Sequence, residues 1–173
     1  MSSQFSLSRA MSTEEGVYGL VLVSGLIAAS GSAGASAWKT LVFTLVTVAV
    51  FWLAHVYAGA VAAHGADTPD GGPMSIGEAT REAVVKSRGM LASTLLPAIP
   101  LLLGSLGLIR DATATWAALW VCVAALAGLG YIAYRRKGAK LHVRLLGALS
   151  TASFGAVIIL AKGVIGQNEW MEA

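Results

Sequence analysis

The chain has 173 residues, 56% of them hydrophobic and 12% charged, with a formal net charge of +3. Soluble domains carry about 25% charged residues, so half that share excludes a water-facing globule and leaves little chain for a second domain. The small positive charge reflects which loops hold Lys and Arg; it is not a nucleic-acid footprint, and no nucleic-acid partner is expected.

The opening MSSQFSLSRAMSTEE lacks a charged, then apolar, then cleavable pattern. It does not read as a signal peptide, and the first span is expected to stay in the mature protein. Phe5, Leu7 and Met11 in this polar stretch fit either a disordered tail or a short surface helix. Ser12-Thr13-Glu14-Glu15 reads as a capping box, with Ser12 as N-cap and Glu15 reaching back to it. The first span is expected over residues 16–35. Its second half, ASGSAGAS, is almost all small residues. Small side chains let helix backbones approach closely in lipid, where no hydrophobic drive holds helices together. Gly25 and Ala29 are therefore expected in tight packing, at a subunit contact or innermost in the bundle.

Trp38 suits a membrane interface. The second span, LVFTLVTVAVFWLAHVYAGAVAA over residues 41–63, exceeds the roughly 20 residues a bilayer core requires. It has no formal charge but carries His55. Residues 64–89 are expected as a cytosolic segment. HGADTPDGGP opens it as a loop, and Ser75-Ile76-Gly77-Glu78 then forms a second capping box before Arg81, Glu82, Lys86 and Arg88. The third span, residues 90–109, holds Pro97 and Pro100, where a kink or break is expected because each lacks a backbone donor. The fourth span, 112–134, has Trp116 and Trp120 near one end and Tyr131 and Tyr134 near the other, as interface belts do. Arg135, Arg136, Lys137, Lys140 and Arg144 form the densest basic cluster before the fifth span, 145–165. The single cysteine, Cys122, lies within a span and has no internal disulfide partner.

The reading is an all-α, single-domain, polytopic integral membrane protein with five spans over residues 1–173. Five spans put the basic loops on one side and only Lys39 and Arg110 on the other. Basic loops stay in the cytoplasm. The N-terminus is expected inside and the C-terminus outside, in a cytoplasmic membrane of bacterial type.

Four places offer chemistry. Glu15 is either a cation or proton site at the mouth of the first span, or only the second half of its capping box. His55 is either a metal ligand or proton relay, or a neutral imidazole bonded to a neighbouring helix. At about 1.5 Å per residue, eight residues from the end of its span, it is expected buried and uncharged. His64, Asp67 and Asp70 are either a weak divalent-metal site or ordinary turn chemistry. Lys162 either snorkels to the outer surface or faces a cavity. No nucleophile–base pair, zinc spacing or phosphate loop is present, so an enzyme is not expected.

Several of these stretches together resemble the vacuolar iron transporter family. Glu15-Gly16 before VYGLVLVSGLIAASG resembles the Asp-Gly opening of that family's first span. Leu53-Ala54-His55 is similar to its Leu-Ala-Asp step, and Leu95-Leu96-Pro97-Ala98-Ile99-Pro100-Leu101 to its Pro-Leu-rich third span. The basic loop and LLGALSTASFGAVIILAKGVIG are also similar. The resemblance implies five spans, an inside N-terminus, a homodimer, and exchange of a divalent metal ion, iron or manganese, against protons. Glu15 takes the place of the family's acidic ligand. The second span has no methionine where the family has one, leaving His55 for that role, and the family's glutamate-rich cytosolic helices shrink to Glu78 and Glu82. The alternative is a non-transporting membrane subunit or scaffold that binds another membrane protein.

Overall fold

The computed structural model describes residues 14–66 and 72–168, and every regular element among them is helical. The helices are α1 (Glu14–Ser32), α2 (Ala37–Ala63), α3 (Ile76–Ser105), α4 (Asp111–Arg136) and α5 (Leu141–Asn168). All five are long and apolar enough to cross a membrane. Large apolar side chains such as Phe43, Val46, Leu53, Leu149, Val157 and Leu160 stand exposed on α2 and α5, where only lipid suits them. The chain is a multi-pass membrane protein.

Three of the four connections are tight for a common reason. α1, α3 and α4 each run out into a glycine with φ near +70°, at Gly34, Gly107 and Gly138. At each, two backbone N–H groups turn back onto the last helical turn, as in Ala35 N–H to Ser30 C=O and Leu108 N–H to Leu103 C=O. This satisfies carbonyls that a helix end otherwise leaves bare, and only glycine adopts that φ without cost. The next helix then starts within a few residues, so neighbours run antiparallel. Ser36 caps α2, and Asp111, the first residue of α4, accepts from Ala37 N–H at 3.1 Å. That bond puts the α1–α2 and α3–α4 turns at the same end of the bundle.

α3 corrects the expected boundaries. The Ser75–Glu78 capping box forms as read, but the helix it starts does not stop before a separate span. It continues for 30 residues, through Gly89 and through both Pro97 and Pro100. The expected break is not formed. The two prolines are three residues apart on the buried face, together with Leu101 and Gly104, so packing holds both lost-donor positions in helical geometry. Of the stretch 64–89 expected between the second and third spans, the part from Ile76 on belongs to α3.

α3 and α4 pack on each other. α2 lies on α3, α5 on α4, and α1 lies across both and touches all four other helices. The core joins Leu20, Val23 and Ile27 of α1 to Val48, Met90, Leu101, Leu119 and Leu126. Small residues set the close crossings. A Cβ on Gly19 would meet Ser93 and the Met90 backbone. One on Gly104 would lie 2.7 Å from Ala37 Cβ and 2.6 Å from Ala114 Cβ. Gly130 and Gly147 face each other backbone to backbone where α4 crosses α5, and Thr151 Oγ1 donates across that seam to Leu126 C=O at 2.7 Å. Most buried hydroxyls close on their own helix, as Ser93 Oγ does on Met90 C=O at 2.6 Å. Thr44 Oγ1 and Trp52 Nε1 are buried without a partner.

Candidate functional site

α1 has two faces. Glu15, Gly16, Gly19, Leu20, Val23, Ser24, Ile27 and Ala28 are buried, Glu15 and Ala28 at the edges of the grooves. The opposite stripe opens into two grooves. Glu14, Glu15, Val17, Tyr18 and Val21 line the first, with His55 of α2, Lys86 of α3 and Phe154 of α5, around a volume of about 700 Å³. Gly25, Ala28, Ala29, Ser32 and Ala33 line the second, with Ile158, Ala161 and Lys162 of α5, around about 500 Å³.

The first groove brings Glu15 and His55 to one place, and helix arithmetic explains why. Glu15 lies seventeen residues before Ser32, the last residue of α1. His55 lies eighteen after Ala37, the first of α2. Lys86 lies nineteen before Ser105, the end of α3. Measured from their shared end of the bundle, all three stand at about 26–28 Å, at 1.5 Å per residue. The hydrocarbon core is about 30 Å thick. With the turns at one surface, the groove sits at the opposite surface, where α2 and α3 project beyond the start of α1.

This position corrects the expectation for His55. Its side chain is exposed on the single chain, on the groove wall, and is not buried in a helix–helix bond. Glu15 is the buried member. It is 7% exposed, although it borders the groove. Its carboxyl has no hydrogen-bond or ion-pair partner among the described residues. Its expected capping partner, Ser12, lies outside the described residues, so that half of the reading has no structural counterpart. A carboxyl without a partner near a bilayer surface is costly, and it can hold a cation.

The metal set separates. His64 is exposed at the end of α2, where its N–H closes the helix on Ala60 C=O at 3.0 Å. It is nine residues from His55, about 13 Å along the helix, so the two imidazoles do not share one ion. Asp67 and Asp70 lie outside the described residues. No three His, Cys, Asp or Glu side chains gather to hold a metal ion among the described residues. Glu15 and His55 alone would offer an ion two protein ligands.

In the second groove, the expectation for Gly25 and Ala29 needs correcting within one chain. A Cβ on Gly25 would meet nothing within 4 Å, and Ala29 is exposed. The small residue innermost in α1 is Gly19. Lys162 turns inward, with Nζ 5.6 Å from the Trp116 ring centre and close above Gly31. Sequence reasoning missed Lys86, Tyr18 and Phe154 as groove residues. Lys86 was accessible to the same arithmetic, counting back from the glycine that ends α3; the two aromatics depend on how the helices rotate. Comparisons with family models, with curated proteins and with solved structures gave no match to this chain.

Proposed function

We propose that this protein is a cation transporter of a bacterial-type cytoplasmic membrane, with the Glu15–His55 groove as its cytoplasmic entrance. The observation that carries the proposal is Glu15, 7% exposed and without a hydrogen-bond or ion-pair partner among the described residues, beside a groove at one end of the bundle. That end of the bundle also holds Arg81, Arg88 and the Arg135–Arg144 cluster, whereas the other end holds Lys39, Arg110 and Lys162. The basic end is cytoplasmic by the positive-inside rule, which puts the N-terminus inside. The resemblance to vacuolar iron transporters supports iron or manganese as the cargo, exchanged for protons, and a homodimer. The open Gly25–Ala29 stripe gives that dimer its contact. Two α1 helices crossing there at about 40° diverge by about 10 Å at Glu15, some 15 Å away, so the entrance stays open. The scaffold alternative has one observation in its favour, the absence of a three-ligand metal cluster among the described residues.

The test is uptake into liposomes carrying the purified protein, with Mn²⁺, Fe²⁺, Zn²⁺ and Ca²⁺, each with and without a pH gradient. Uptake of at least one ion, steeper with the gradient, is expected. No uptake of any ion under either condition favours the scaffold. His55→Leu should reduce uptake while leaving thermal stability unchanged, because the imidazole faces the groove and closes no helix contact.

A further inference from the structure

The first groove has a feature that a bare cation does not use. Lys86 stands on its α3 wall, level with Glu15, and no ion pair joins it to Glu14 or Glu15 among the described residues. A carboxyl and an ammonium therefore stand apart across one groove. Val17, Val21 and Phe154 add apolar surface to the same groove, and Tyr18 lines it too. The volume, about 700 Å³, is far larger than any metal ion. The groove lies at headgroup depth by the helix arithmetic above.

We propose that this groove binds the headgroup of an ethanolamine phospholipid from the inner leaflet. Its ammonium pairs with Glu15, its phosphate with Lys86, and the start of its acyl chains rests on Val17, Val21 and Phe154. Each element of the ligand meets a group of matching chemistry on the groove lining. The ammonium supplies a partner for Glu15, which has none among the described residues, with the added strength of a hydrogen bond between two charged groups. An anionic glycerol headgroup has no ammonium for Glu15 and meets its carboxyl with like charge. This binding holds whether or not the protein transports an ion; lipid and transported cation exclude each other at the same carboxyl.

The experiment is native mass spectrometry of the full chain released from bilayers of equal phosphatidylethanolamine and phosphatidylglycerol content. Retained phosphatidylethanolamine should exceed phosphatidylglycerol by about tenfold, the preference one charge-assisted hydrogen bond gives. Glu15→Gln should erase that preference, and Lys86→Gln should lower total lipid retention for both headgroups. Thermal stability measured alongside identifies any variant that has lost its fold, and Glu15→Asp, which keeps the charge, should keep the preference. Equal retention of the two lipids by the wild-type protein, or an unchanged preference in folded Glu15→Gln, overturns the proposal. Because the readout is bound lipid, either result leaves the uptake assay to judge transport separately.

Discussion

Gly19 and Gly25 lie six residues apart on the same helix and do opposite things. At Gly19 Ser93 and the Met90 backbone of α3 come so close that a methyl group has no room; at Gly25 the space beyond the backbone is empty. The difference extends along the two faces of α1. The closed face, Gly16 through Ala28, is where the helix meets α3 and α4. The open face begins at Glu14 and ends near Ala33, and both grooves lie on it. In lipid, helices associate through close packing and not through hydrophobic drive. A glycine in α1 therefore either makes a crossing possible or keeps a surface clear. Composition alone does not distinguish the two.

The comparison breaks most directly at Gly19. Gly19→Leu should prevent the α1–α3 crossing, since the Met90 backbone as well as the short Ser93 side chain is in the way. The expected cost is above the 1–3 kcal/mol usual for overpacking, seen as loss of folded protein in size-exclusion chromatography. Normal yield and melting would mean that α1 is not held against α3 as described. Gly25→Leu should leave the fold of each chain intact and dissociate the proposed homodimer, read by mass photometry in detergent. A dimer that survives Gly25→Leu would remove the open stripe as its contact. The smallest effect tests what holds the closed interior together. Thr44 is 1% exposed and its hydroxyl has no partner. Thr44→Val keeps the shape and removes the orphaned group, so it should stabilise the protein by about 1 kcal/mol, measured as a higher melting temperature. A lower one would show that the hydroxyl has a partner in the membrane-embedded protein.

The number of helices was legible because apolar runs longer than a bilayer core are hard to misread. The continuity of α3 was not. Its first turns are charged and its later ones carry two prolines, so local composition changes twice within one helix. Which face of α1 is buried was also illegible. Gly16, Gly19, Ser24, Gly25, Ala28 and Ala29 put small residues on all sides, and no apolar stripe points to a core. α2 hid the exposure of His55 in a similar way, being apolar all round, so its lipid face and its protein face read alike. The pairing of Glu15 with His55 was partly legible. Both were candidates on the residues alone, and counting from the turn between α1 and α2 makes them level.

The central claim is that the open face of α1 carries the function through the buried carboxyl of Glu15, while the closed face carries the fold. The most direct measurement is ion uptake by liposomes containing either the wild-type protein or Glu15→Gln, at equal protein content and with melting temperatures determined in parallel. The account predicts that Glu15→Gln melts with the wild type and takes up less than a tenth as much of the transported ion. Undiminished uptake by the variant, or a loss of uptake matched by a loss of folded protein, would contradict it.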